Sequence, residues 1–462
     1  MRPAARLAAI VLCAGLLALE SAARADSEDA TSGAPATAID PIGGFSDGLY
    51  LQTRDGQIVL FPGGRVQVDG AVFPRQNPKS GIYLRRARVE LRGWLGPLFY
   101  FDVSGDFAPV APAGADVAPS ALPASDDYLA FAPYGDQFIL QAGQFDAPFT
   151  LENRTSDAYT DFIERAMTAR TLGAPRNKEV GVMAHGLLAD DRLYYSAGLF
   201  NGEGPGFRNL DNQSDTIGRI VFSPFATGGR AWRWFSIGGS AWYGNHVLGP
   251  EAPVQATPGG MVFLEPHWQS GQTTPLGFEL HEQGTATAFG GELNLPIGDR
   301  FGLRGEIVWK RQHLNEIDTT AGLSAPVGDA VLDGIAGYGE IWCWLLGDGR
   351  LLPAPGQELP LRISSPTRGQ APLLTEGLQL AIRGEVLKED VTSDNLTLGD
   401  PSVSTTRVVS GTIGLNYWRG RFVRVSANYV INDFSGTSET IMALGADGKL
   451  EQELLVRFAM SL

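Results

Sequence analysis

Arginine crowds the stretch 82–95 as Arg85, Arg86, Arg88 and Arg92. In a strand, successive side chains leave opposite faces, so Ala87, Val89, Leu91, Gly93 and Leu95 share one side while Arg86, Arg88, Glu90 and Arg92 share the other. Arg65, in the preceding segment, takes the polar side by the same parity; Arg85 joins it only if a bulge turns it inward. A guanidinium stays charged at every physiological pH and offers oxyanions a planar fork of donors. A file of them suits anion attraction. The competing use is structural, with these cations pairing to Glu90, Asp102, Asp106, Glu152 and Glu164.

Catalytic chemistry is poorly represented. The five histidines, His185, His246, His267, His281 and His313, show no H-E-x-x-H spacing. Gly202-Glu203-Gly204-Pro205-Gly206 lacks the helix a phosphate cradle needs, and His185 with Ser196 is the nearest approach to a hydrolase pair. The reading is therefore a non-enzyme with no cofactor and no metal. Lys+Arg 36 against Asp+Glu 51, a formal charge of -15, excludes a nucleic-acid partner.

The elements that position the arginines follow from the rest of the 462 residues. Residues 1–25 place Arg2 and Arg6 before an apolar run that ends at Ala23-Arg24-Ala25, the layout of a secretory signal. Cys343 is then the one cysteine left, so no internal disulfide can form. Residues 26–57 read as a flexible leader and approach, and 58–462 as one domain. That domain breaks into about sixteen period-2 segments, near 58–72, 82–95, 98–107, 126–133, 137–145, 178–188, 191–200, 214–223, 232–243, 284–296, 300–312, 334–346, 375–388, 405–418, 421–433 and 449–462. Tight turns such as Gly96-Pro97 and Gly298-Asp299 alternate with long excursions at 108–125, 146–177, 201–213, 244–283 and 313–333. The predicted fold class is all-β, an antiparallel transmembrane barrel of sixteen strands. One connection, 347–374, is long where the alternation asks for a short turn. Rings near the turns (Trp94, Phe99, Phe225, Trp232, Trp234, Phe301, Trp342, Trp344, Trp418, Phe422) and near the loops (Phe73, Phe107, Phe145, Phe200, Trp242, Trp309, Tyr429) are expected to form two interfacial girdles. The alternative is a soluble, secreted all-β binding module.

Several ordered pieces carry a family resemblance: Gly64-Arg65-Val66-Gln67-Val68-Asp69, Arg85 through Gly93, Gly143-Gln144-Phe145-Asp146-Ala147-Pro148-Phe149-Thr150-Leu151-Glu152, Phe162-Ile163-Glu164-Arg165-Ala166, Lys178 through Val182, and Gly198-Leu199-Phe200-Asn201-Gly202. The chain resembles the phosphate- and polyphosphate-selective porin family of the bacterial outer membrane. The resemblance implies a homotrimeric porin embedded in outer-membrane lipid, with the long loop 146–177 folded into the lumen as a constriction. That loop would bring Arg154, Arg165, Arg170 and Arg176 to Arg65, Arg86, Arg88 and Arg92, the expected path being Arg65, Arg86, Arg88, Arg92, Arg165, Arg170 and Arg176. The expected function is passive diffusion of small hydrophilic solutes, small anions such as phosphate or polyphosphate among them; an unselective porin with structural arginines is the alternative. Two features depart from the family. The stretch 244–283 has no Lys or Arg but carries Glu251, Glu265, Glu279 and Glu282, an acidic mouth, and the chain ends in Leu462 rather than an aromatic residue.

Overall fold

The computed structural model describes residues 43–462 apart from 46–47, 75–79, 109–123, 175–176, 207–208, 210, 229–230, 248, 250–253, 265–266, 271–275, 319–324, 348–354, 357–358, 361–374, 394–403, 438–440 and 442–448. The signal, most of the leader and Arg176 lie outside the described residues.

Within them run β1 (Gly43–Phe45), β2 (Leu49–Gln52), β3 (Ile58–Val72), β4 (Gly81–Leu95), β5 (Phe99–Asp106), β6 (Ala124–Phe131), β7 (Ile139–Asp146), β8 (Lys178–Leu188), β9 (Leu193–Phe200), β10 (Asp215–Phe222) and β11 (Ser236–His246). Three short strands follow, β12 (Gln255–Ala256), β13 (Val262–Leu264) and β14 (His267–Ser270). The wall then resumes with β15 (Leu276–Ile297), β16 (Phe301–Asp318), β17 (Ala325–Leu346), β18 (Glu376–Ser393), β19 (Ser404–Arg419), β20 (Val423–Gly436) and β21 (Leu450–Ser461). From β3 to β11, and from β15 to β21, each strand pairs antiparallel with the next, and β21 returns to β3 at Phe458↔Val68 and Arg457↔Asp69. The result is a closed sixteen-strand barrel, which leaves its wall no free edge.

Alternation turns the usual distribution of residues inside out. Val66, Val89, Leu91, Leu129, Ile220, Ile307, Ile341 and Phe458 stand exposed on the outside, while Gln67, Asp69, Arg383, Glu385, Asn428 and Arg457 are buried inside. An apolar exterior with a polar interior suits lipid outside and water inside. A soluble module would need the reverse, so that alternative is set aside.

Three sequence expectations change. β15, β16 and β17 run 22, 18 and 22 residues, well past the segments expected from period-2 contrast. In these extensions the inward side turns apolar, Leu280, Leu314 and Ala330 packing with Val391 in one buried cluster, so the polar-in, apolar-out contrast fades while the hydrogen-bond ladder continues. Glu279 and Glu282 therefore belong to β15 and not to a loop, and Glu282 is buried near His246. The girdle expectation holds for Phe99, Phe225, Trp232, Phe301, Phe107 and Tyr429, which are exposed. It fails for Trp94, Trp342, Trp344, Trp418, Phe422, Phe73, Phe145, Phe200 and Trp242, which are buried on the inward side. Lastly, Pro355 and Gly356 of the over-long connection lie inside the barrel. Gly356 N–H donates to Thr155 Oγ1 at 2.9 Å and its carbonyl accepts from Arg219 Nη1 at 2.6 Å.

Candidate functional site

The segment from Ala147 onward leaves β7 and folds into the barrel with Phe149, Leu151, Phe162, Ala166 and Leu172 almost wholly buried. Among its described residues from 147 to 174, one helical turn, Met167–Arg170, is set among turns and bends. Buried backbone without a ladder must find other partners, and the polar inner wall provides them. Glu306 of β16 accepts from the N–H groups of Leu151 and, at 2.8 Å, Glu152, and from Thr168 Oγ1 at 2.9 Å. Asn428 Oδ1 takes the N–H of Ile163 and Glu385 Oε1 that of Met167, both at 2.7 Å. In return Arg424 Nη1 donates to Thr160 O and Arg457 Nη1 to Ile163 O, both at 2.6 Å.

Ion pairs fasten the same loop from β3, β4, β16 and β21. Arg457 bonds both carboxylate oxygens of Asp69 at 2.7 Å and Glu164 at 3.0 Å, so one guanidinium ties the closing seam of the barrel to the loop. Arg304 reaches Asp161 at 2.6 Å and Glu340 at 3.0 Å. The ladder of β3 and β4 shifts register between Gln67↔Arg86 and Val68↔Leu84, leaving Arg85 as an extra residue. That bulge lets neighbours Arg85 and Arg86 both turn inward, Arg85 to Glu164 at 3.0 Å and Arg86 to Asp157 at 2.5 Å. Arg65 pairs with Asp157 as well. Burial pushes the Glu164 carboxyl up, but Arg85, Arg457 and Arg86 outweigh it and hold the group well below the carboxylate range. Asp161 is likewise held down, burial being outweighed by Arg304 and by hydrogen bonds. Glu152 goes the other way, because burial outweighs Arg383, Arg304 and Arg165.

Between loop and wall lies a cavity of about 600 Å³. Arg65, Arg86, Arg88, Arg92 and Arg165 line it together. Arg88 approaches Asp126 at 3.8 Å, Arg92 pairs with Glu90 at 3.1 Å, and Arg165 donates to the carbonyls of Glu152 and Thr155 at 2.9 and 2.7 Å. Arg170 is not among the lining residues; it donates to the carbonyls of Arg165 and Ala256 at 2.7 and 2.5 Å and so joins the loop to β12. Lining residues outside the expected path are Lys178, paired with Asp126 and Asp146 at 2.6 and 2.8 Å, together with Arg154, Arg304 and Arg421. The alternation 300–310 already marks Arg304 as inward; Lys178 enters the sequence reading as the first residue of the Lys178–Val182 piece, with no place in the expected path. His185 and Ser196 are opposite one another on β8 and β9, yet His185 Nε2 meets Gln141 at 3.1 Å and Ser196 donates to Arg219 O at 3.4 Å.

The family model described as phosphate-selective porin O and P matches residues 63–246. No curated protein matches the chain. Among solved structures, OmpT of Vibrio cholerae expressed in the outer membrane aligns at a TM-score of 0.50 and 11% identity, covering 89% of this chain and 100% of that one. In-vitro folded OmpT aligns at 0.50 and 10%, covering 88% and 98%. The OmpT loop L8 deletion mutant does so at 0.50 and 10%, covering 88% and 100%. Those structures share the fold; the family match adds the class. The chain is an outer-membrane porin, a closed barrel with a loop folded into its lumen. Over residues 63–246 its sequence is similar to that of the phosphate-selective porins O and P.

Proposed function

We propose that the protein is a passive channel rather than an enzyme, assembled as a homotrimer, through which small hydrophilic anions such as phosphate diffuse preferentially. The observation that carries the anion reading is the composition of the cavity wall. Nine cationic side chains, Arg65, Arg86, Arg88, Arg92, Arg154, Arg165, Lys178, Arg304 and Arg421, face seven carboxylates, Glu90, Asp102, Asp126, Asp136, Asp146, Asp157 and Asp161. At a poorly hydrated neck such an excess acts across a low dielectric, whereas carboxylates at the outer mouth act through water and salt and fade within about 8 Å. Arg65, Arg86, Arg88, Arg92 and Arg165 are the proposed pathway, and Arg170 supports the loop that shapes it.

The trimer reading rests on wall height. β5, β6, β7, β9 and β10 have eight residues each. At about 3.3 Å per residue and a tilt near 40° such strands rise only about 20 Å, less than the apolar band of about 25 Å. Cover from neighbouring copies relieves that mismatch.

A second reading, an unselective porin, is favoured by the pairing of Arg65 and Arg86 with Asp157 and of Arg92 with Glu90. Reversal potentials in planar bilayers under a KCl gradient separate the two. Anion preference that grows from low to moderate salt, and that Arg86→Ala with Arg88→Ala moves toward cations, is expected. A reversal potential unchanged in the double variant would leave the arginines as braces.

A further inference from the structure

The short-turn half of the lumen is aromatic: Trp342 and Trp344 pack with Phe162 and Trp418 in one buried cluster, with Tyr159 against it. Trp342 and Trp344 of β17 and Tyr159 of the loop line the same cavity as Arg65, Arg88 and Arg92. A wall that served only charge would carry polar side chains there, as β17 does one inward position away at Glu340. The ring of Trp342 also has a space cleared for it. Gly302 is its cross-strand partner, and a Cβ at that glycine would overlap the indole, so the ring lies flat against bare backbone.

The guanidinium groups of Arg88 and Arg92, in the same wall, are charged donors for a ligand with acceptor oxygens. The rings beside them add an apolar, flat surface, which favours a ligand that stacks as well as one that carries charge.

We propose that this half of the lumen is a binding site for anions with an aromatic body, arylcarboxylates being the simplest. Arg88 and Arg92 take the carboxylate; Trp342, Trp344 and Tyr159 take the ring. The proposal rests on the channel reading and narrows its substrate class. Acetate and benzoate share the carboxylate and differ in the ring, so the pair isolates the aromatic contribution.

The test is block of chloride current by each of the two anions in planar bilayers holding the wild-type protein. The half-blocking concentration of benzoate is expected to lie more than fivefold below that of acetate, and Trp342→Leu should bring the ratio to twofold or less. A wild-type ratio of fivefold or less, or a ratio above twofold in the variant, overturns the proposal. Should the leucine variant give no heat-modifiable barrel, Tyr159→Leu removes the loop's ring instead; the half-blocking benzoate concentration must then rise at least twofold, or the proposal falls. Bilayers without any current would instead refute the channel itself, whereas current with equal block refutes only the aromatic site.

Discussion

Arg457→Met tests whether one guanidinium holds both the barrel seam and the loop. The residue is 1% exposed and makes four short contacts, two to Asp69 at 2.7 Å, one to Glu164 at 3.0 Å and one to the carbonyl of Ile163 at 2.6 Å. Methionine keeps much of the stem but strands the buried Asp69, while Glu164 retains Arg85. Breaking a buried pair by removing one partner costs about 3–5 kcal/mol, most of it the penalty of an uncompensated charge. With a urea dependence of about 1–3 kcal/mol per molar, the midpoint should fall by about 1 M or more. The assay is the heat-modifiable band followed through urea in lipid vesicles. Adding Asp69→Asn removes the stranded charge and should recover at least about 1 kcal/mol, a coupling that a double-mutant cycle reads directly. A single variant within about 0.3 M of wild type, or a double variant as unstable as the sum of the singles, would refute the reasoning.

Other outcomes follow from the same geometry. Val89→Arg places a charge on the lipid face and should cost about 2–4 kcal/mol at mid-depth, whereas the neighbouring inward Glu90→Gln should yield wild-type amounts of folded barrel. Gly302→Ala drives a methyl into the Trp342 ring and should destabilise by about 1–3 kcal/mol, read as a lower urea midpoint. Because the folded Glu164 carboxyl lies well below its ordinary value of 4.5, its contribution is complete above that pH and is lost only as acid takes the pH down toward the folded value. The urea midpoint should therefore hold from pH 8 to about pH 5 as far as this group is concerned, and the fall in stronger acid should be smaller in Glu164→Gln.

The sixteen wall strands were legible because lipid and lumen impose opposite chemistry on alternate residues, as Val89 beside Arg88 and Arg457 beside Val456 display. Legibility stopped where that contrast stops. In the extensions of β15 and β17 the inward side turns apolar, at Leu280 and Ala330, and Glu279 reads as loop. An aromatic residue carries no label for its side of the wall: Phe99 faces outward and Tyr100 inward, next to each other in the chain. The arginines were legible as inward groups, but their partners were not. Asp157 lies more than 60 residues from both Arg65 and Arg86, a distance that no local pattern encodes. The insertion of Pro355 and Gly356 was foreshadowed only as a connection too long for its place.

The bulge at Arg85 changes what a strand can hold. Regular alternation presents one inward side chain for every two residues, about 7 Å apart, so a single strand cannot grip two points of a folded loop from adjacent positions. Slipping the register by one residue gives β4 two neighbouring guanidinium groups, one on Asp157 and the other on Glu164. The anchorage of the loop is thus encoded as an insertion and not as a substitution. Among relatives, its gain or loss would show as a one-residue gap in the middle of a membrane strand, where gaps are otherwise ruled out because they exchange lipid face for lumen face along everything that follows.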